Sequence, residues 1–179
     1  MSVSACATGV YYSAKGAYTS GTSGTLSVPW PTHATNDVAI LEVISELDPD
    51  TPSGWTEMPS SPVTSTNSGG TTARLSVFWK RAASGAEANA SITGCGKFGQ
   101  AVILTYKNVI TTGNPYDAVA VTTKTTLNKT LSISGVTATE ACNDVVYLVA
   151  RAGDNGAVAQ YSNQVNANLT GLAEKVDGS

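Results

Sequence analysis

Charged side chains are scarce in this 179-residue chain, where Asp, Glu, Lys and Arg together make up 13%, about half the usual share. The ten basic residues are scattered, and Lys80-Arg81 is their only adjacent pair. Because nucleic-acid binding needs a basic surface that neutralises phosphates, the sequence predicts no nucleic-acid partner. Its apolar runs stay far below the roughly 20 residues that span a bilayer, so no membrane partner is predicted.

Cysteine and histidine are also rare. Cys6, Cys95 and Cys142 are odd in number and widely spaced, which is typical of free thiols in a reducing cytosol and of neither a disulfide framework nor a zinc site. His33 is the only histidine, and the chain has no Gly-x-Ser-x-Gly elbow for a hydrolytic triad. We therefore expect no enzyme activity, no metal site and no cofactor.

One glycine motif resembles a nucleotide-binding fingerprint on paper. Gly94-Cys95-Gly96-Lys97-Phe98-Gly99 matches Gly-x-Gly-x-x-Gly, but that fingerprint requires a helix directly after it. The residues that follow, Gln100–Val109, are strand-like. The motif is therefore interpreted as a β-turn.

A group of acidic residues leaves three alternatives open. Carboxylates can pair for glycoside hydrolysis, ligate Ca²⁺, or lie solvated in a loop at the end of a strand. Asp48-x-Asp50 resembles the start of a calcium loop without the rest, and solvated loop charge is the favoured interpretation. The group comprises Glu42, Glu46, Asp48, Asp50 and Glu57.

What the chain does have is threonine, 24 residues of it, among short apolar runs separated by Gly, Pro and Asn. This pattern predicts an all-β fold, a β-sandwich or jelly roll. Helix signals are weak, with Ser84–Ala90 the best short helical turn. Further strands are predicted at Asp37–Leu47, Arg74–Ala82, Ala90–Thr93, Ala101–Val109, Val119–Thr126, Thr130–Val136 and Val145–Arg151.

One segment occurs twice, which predicts two related halves. Its first copy begins at Thr25-Leu26-Ser27-Val28, its second at Thr130-Leu131-Ser132-Ile133. Each copy continues with Asn-Asp, an apolar run and Gly-x-x-Glu, ending at Glu57 and Glu174. Strands equivalent to those after the first copy are missing after the second, so we expect this half to be incomplete, with a neighbouring chain or further residues supplying the remainder.

Residues 1–24 are predicted to form an N-terminal arm or an early strand, ahead of a β-sandwich domain at 25–179. Tyr11, Tyr12 and Tyr18 make this arm a candidate partner interface, because tyrosine is large, rigid and amphipathic.

The three tryptophans raise the possibility of a sugar-stacking platform. Trp79 alternates with Leu75 and Val77 on what is predicted to be the dry face of a strand, so a core position is expected for it. Trp30 and Trp55 lie in loops and are the candidate ligand-binding residues, although capping the end of a sandwich is the commoner use of such tryptophans.

Four stretches in order carry a resemblance: Pro52-Ser53-Gly54-Trp55-Thr56, Arg74–Ala82, Ala101–Val109 and Asn114-Pro115-Tyr116-Asp117. Together they resemble the β-sandwich domains of structural proteins in tailed bacteriophages. The resemblance implies a virion component without catalytic residues. We expect a head decoration (cement) protein, trimeric and bound to the major capsid protein. The alternative is a tail-fibre or adhesin module that binds a host glycan.

Overall fold

The computed structural model describes residues 9–22, 24–66, 70, 72–123, 132–133, 135–139, 146 and 148. Within them the secondary structure consists of β-strands, and no helix of the described part is long and apolar enough to cross a bilayer. The strands are β1 (Tyr11–Lys15), β2 (Thr19–Gly21), β3 (Leu26–Val28), β4 (Val38–Ser45), β5 (Thr56–Glu57), β6 (Val63–Thr66), β7 (Thr72–Arg81), β8 (Ala90–Ile92) and β9 (Gly99–Lys107).

The larger sheet is antiparallel and centred on β4. Its order is β1-β9-β4-β7-β5, with β2 also paired to β9 and β6 also paired to β7. Leu41 of β4 lies between Phe78 of β7 and Ile103 of β9. The predicted strand at Asp37–Leu47 is therefore the centre of the sheet, flanked by the two longest strands.

A second, two-stranded sheet of β3 and β8 packs on this larger sheet. Side chains from both sheets bury one apolar cluster between them, which confirms the predicted all-β sandwich. We call it the main core, and its members are Leu26, Val28, Ala39, Leu41, Val43, Trp55, Phe78, Ala90, Ile92, Cys95, Ala101 and Ile103.

The described part of the N-terminal segment forms strands. β1 pairs with β9 from Tyr11↔Lys107 to Lys15↔Leu104, and β2 continues along the same neighbour. A β-bulge shifts the register between Tyr12 and Ala14. Of the two alternatives for residues 1–24, residues 9–22 adopt the early strand, at the edge of the main sheet.

The orientation predicted for β7 is wrong. Ser76 and Phe78 are fully buried in the sandwich, whereas Leu75, Val77 and Trp79 are only half-buried on the opposite side of the sheet. The register decides this, because Phe78 pairs with Leu41, whose side chain lies in the main core. Alternation alone could not choose between the two apolar faces of this strand.

That opposite side, which we call the far face, carries its own apolar cluster. Val38, Leu104, Tyr106 and Val109 are buried there, and the partly buried side chains packed against them are Val10, Tyr12, Ile40, Val146 and Leu148. The last two belong to the second copy of the duplicated segment, so this copy contributes to covering the far face.

The helical turn predicted at Ser84–Ala90 is also wrong, since these residues form bends and irregular chain before β8. The Glu87 carboxylate accepts the backbone N–H groups of Ala83 and Ser84 instead. Described residues of the strands predicted at 119–126, 130–136 and 145–151 are not in strands. The other residues of those segments, and Gly171–Glu174, lie outside the described residues.

Candidate functional site

The loop at 29–37, between β3 and β4, supplies aromatic side chains at the amino end of β4. There Trp30 and His33 meet Trp55, from the turn before β5, and Lys80 of β7. We call these four residues the Trp30 cluster. It brings both sequence-predicted ligand-loop tryptophans together.

Trp55 is the buried member of this cluster. Its side chain is 7% exposed and belongs to the main core. Its backbone N–H donates to the Pro52 carbonyl at 3.0 Å, and Gly54 between them has a φ of 77°, which suits the third position of a type II turn. This turn folds the indole inward, leaving little of its ring open to a ligand.

Trp30 is only partly buried and lies over Trp55, with 5.3 Å between ring centroids. The Lys80 ammonium is 5.7 Å from the centre of the Trp30 ring, within cation–π range. The Trp30 Nε1 atom is buried and has no hydrogen-bond partner among the described residues. Trp30 is therefore the tryptophan of this cluster with ring surface left to offer.

His33 is held by two hydrogen bonds that fix its tautomer. The ring lies 4.6 Å from that of Trp30. Its Nε2 accepts the Glu87 backbone N–H at 3.3 Å, so the proton is on Nδ1, which donates to the Pro31 carbonyl at 2.7 Å. With both nitrogens engaged, the imidazole packs the loop and has no free nitrogen for a metal or a substrate.

Lys80 is tied to Glu87 by a 2.7 Å ion pair. The hydrogen bond from Lys80, helped by those from Ala83 and Ser84, lowers the pKa of the Glu87 carboxyl, against a smaller opposing effect of burial. The Lys80–Glu87 ion pair orients the Lys80 ammonium beside Trp30 and ties the loop before β8 to β7.

The three candidate interface tyrosines have different surroundings. Tyr11 is 49% exposed and Tyr18 is 37% exposed, whereas Tyr12 packs edge-to-face on Tyr106 at 6.1 Å. Partial burial, and secondarily the Glu42 carboxylate, raise the pKa of Tyr18. Tyr11 and Tyr18 are thus available to a partner, while Tyr12 fastens β1 to the far face.

The acidic residues do not converge on one site. Glu46 accepts the Lys97 backbone N–H at 2.8 Å, and Asp50 accepts the Thr93 hydroxyl at 2.7 Å. Glu42 lies on the far face, where burial raises its pKa to about 7. No group of three metal-ligating side chains occurs among the residues that the structure describes.

The glycine motif forms a turn between β8 and β9, followed by a strand as predicted. Gly96 has a φ of 84°, and a Cβ there would lie 2.7 Å from the Glu46 carboxylate. Cys95 between the glycines is a buried free thiol whose pKa is raised by burial. The motif packs this end of the sandwich.

A cleft that the sequence analysis did not find lies at the end of the 29–37 loop. It has a volume of about 270 Å³ and is formed by the end of the 29–37 loop and the residues after β9. The signal that could have indicated it is the Asn-Asp pair that opens β4. Its lining residues are Thr35, Asn36, Asp37, Lys107, Asn108, Val109 and Thr111.

Comparisons with protein-family models, with curated proteins and with solved structures give no significant match. The functional argument therefore depends on the residues and their geometry.

Proposed function

We propose that this chain is a structural protein of a tailed-bacteriophage virion, and that it decorates the head as a cement protein. The observation that carries the proposal is the pair of exposed tyrosines, Tyr11 in the edge strand β1 and Tyr18 directly before β2. Exposed aromatic side chains are enriched where proteins meet. The low charge of the chain suits the same role, because charged residues are depleted in interface cores.

The position of the motif stretches supports this proposal. The Pro52–Thr56 stretch leads into β5, while Arg74–Ala82 and Ala101–Val109 contain most of β7 and β9. Three of the four stretches that carry the virion resemblance thus contribute to one sheet, while the fourth, Asn114–Asp117, is not in a strand. On this proposal the partners are other copies of the chain, arranged as a trimer, and the major capsid protein.

The contact would be made by side chains rather than by adding a strand. The bulge between Tyr12 and Ala14 interrupts the regular ladder of β1, and bulges at sheet edges discourage pairing with another chain. Many such contacts at capsomer junctions would stabilise the shell. A protein that binds the assembled shell and not its separate subunits shifts the equilibrium towards assembly by mass action.

A sedimentation assay with undecorated heads tests the proposal. The double variant Tyr11→Ser, Tyr18→Ser should lose particle binding and keep its thermal stability. Ile110→Ser, which alters an exposed residue outside the edge strands, is the matched control and should bind normally. Normal binding by the double variant would remove the role of the tyrosines.

Location on the particle is a separate measurement. Gold-tagged antibody to the chain should label the head surface of purified phage. Label confined to the tail tip would reject the decoration role.

A second candidate, a tail-fibre or adhesin module that binds host glycan, is favoured by the partly exposed ring of Trp30. In this case Trp30→Ala should abolish adsorption to host cells and cost less stability than Trp55→Ala. Retained adsorption would remove Trp30 as a glycan platform.

A further inference from the structure

The cleft lies where the 29–37 loop enters β4 and where β9 ends. Asn36 and Asp37 form one wall, and Lys107 and Asn108 form the other. Two backbone bonds hold the first wall in place, from Asn36 N–H to the Ala82 carbonyl and from Ala82 N–H to the Asp37 carbonyl. The walls are thus built on strand ends rather than on a free loop.

The charges in the cleft are fixed and balanced. Asp37 is buried, and its Oδ2 atom lies 3.3 Å from the Lys107 ammonium. The same oxygen accepts the Ala34 backbone N–H at 2.8 Å. Because the carboxylate and the ammonium neutralise each other, a simple anion or cation would have to compete with a pair already formed.

The remaining polar side chains are neutral and exposed. Thr35, Asn36, Asn108 and Thr111 all line the cleft with their polar groups open to solvent. The Asn108 amide donates to the Gly9 carbonyl, which leaves its carbonyl oxygen as an acceptor. Donors and acceptors are therefore both available around one small space.

The backbone at both asparagines is left-handed. Asn36 has a φ of 71° and Asn108 a φ of 61°, in a region that asparagine adopts more readily than other non-glycine residues. The two asparagines lie on opposite walls of one cleft.

We propose that this cleft binds one neutral sugar ring. Vicinal hydroxyls both donate and accept, which matches a carboxylate oxygen, two carboxamides and two threonine hydroxyls. Val109 also lines the cleft, but it is only 9% exposed and belongs to the far-face cluster, so recognition depends on the polar groups. The volume of about 270 Å³ is just below the roughly 300–1,000 Å³ of drug-sized sites, so one ring enters and a longer oligosaccharide extends outside.

This site is independent of the virion role, because it requires no particle. It is also distinct from the Trp30 cluster, which uses the first half of the same loop.

The test is protein-observed NMR, in which the isotope-labelled full chain is titrated with glucose, galactose, mannose, rhamnose and N-acetylglucosamine. At least one should bind with a Kd of about 1 mM and shift the amide signals of Asn36 and Asn108. Asn36→Gly, which is compatible with the left-handed backbone and removes the carboxamide together with its Cβ, should weaken binding about tenfold. Thr111→Val should act in the same direction, while Thr112→Val, outside the lining, is the matched control.

Three outcomes overturn the proposal. The first is that none of the five sugars binds at concentrations well above about 1 mM. The second is that binding persists unchanged in Asn36→Gly and Thr111→Val. The third is loss of binding in Trp30→Ala alone, which would assign the sugar to the Trp30 cluster.

Discussion

Glu42 lies in the central strand between Val77 and Val102, on the far face of the sheet. Burial raises the pKa of its carboxyl from 4.5 to about 7. Between these values the unfolded chain is ionised while the folded chain still holds the proton, so unfolding releases a proton. Stability therefore falls as the pH rises from about 4.5 to about 7 and levels off above.

Glu42→Gln should remove this dependence. Between about pH 4.5 and pH 7, the unfolding free energy of the natural protein should fall by about 3 kcal/mol. The glutamine variant, which cannot ionise at this position, should not show this loss. Urea unfolding at a series of pH values measures it. Asp48→Asn, at an exposed acid of the next loop, should follow the natural protein, and parallel profiles for all three proteins would contradict the assignment to Glu42.

Trp55 should behave as a core residue. Because its side chain is nearly inaccessible and packs among the main-core residues, Trp55→Ala should lower the unfolding free energy by about 3–5 kcal/mol. Trp30→Ala, at the partly exposed ring beside it, should cost distinctly less. Equal, small losses in chemical denaturation would show that Trp55 does not support the sandwich.

At the scale of the elements, β1 and β2 are part of the sheet, so deleting residues 1–20 should do more than remove a contact surface. β9 would lose the partner that pairs with Tyr106 and Leu104. The truncated chain should unfold at a lower temperature by circular dichroism. The Tyr11→Ser, Tyr18→Ser variant retains the strands and should match the natural protein. An unchanged Tm after the deletion would mean that β1 adds nothing to the stability of the sheet.

The turn before β9 depends on close packing at Gly96. A Cβ there would lie 2.7 Å from Glu46 Oε2 and 2.9 Å from Leu47 Cγ, in addition to the strain of a φ of 84°. Backbone strain should cost about 1–3 kcal/mol in any alanine variant at such a φ, and Gly96→Ala should cost more than that because its Cβ also meets Glu46 and Leu47. Gly24→Ala is the control, because Gly24 has a similar φ of 85° with nothing within 4 Å of the added atom. Equal losses would show that backbone strain alone is responsible.

Element by element, the sequence predicted what periodicity and turn residues encode. The central strand, β7, β8 and β9 were expected within a few residues of their bounds, because long apolar runs between turn signals are unambiguous. The orientation of β7 was not, since Phe78 and Trp79 make both of its faces apolar. The short strand β5 leaves too few residues to show a period, so it was missed.

The candidate site was predictable only in part. Trp30 and Trp55 were identified as loop residues, and the structure places them side by side. The burial of the Trp55 side chain depends on the turn before it and on packing against residues distant in the chain. Local sequence does not predict that packing. The cleft depends on Asp37 and Lys107 meeting across β4 and β9, a contact between residues far apart in the chain.

At the scale of the whole molecule, two residues of the second copy of the duplicated segment pack on the sheet that contains the first copy. Val146 and Leu148 follow the second Asn-Asp pair and pack on the far face of the sheet that the first copy builds. The second half thus helps to bury a surface that the first half leaves apolar.

Leu148→Asp should therefore destabilise the sheet. A carboxylate placed against the apolar cluster of the far face loses hydration, at a cost of about 2 kcal/mol or more. Hydrogen exchange should show faster exchange of the β9 amides. Ile133→Asp, at a residue that is 42% exposed, is the matched control. Full protection of β9 in Leu148→Asp would mean that the second copy does not cover the far face.

The pairing of β4 with both β7 and β9 has a consequence for biosynthesis. β1 and β4 both pair with β9, and both leave the ribosome well before it does. β1 is made first, so it spends the longer time without its partner strand. Contacts between distant segments slow folding, and an unpaired strand in a partly made chain is prone to association with others. β4, the central strand of the finished sheet, is therefore an edge strand with one side unpaired during translation until Lys107, the last residue of β9, has left the ribosome.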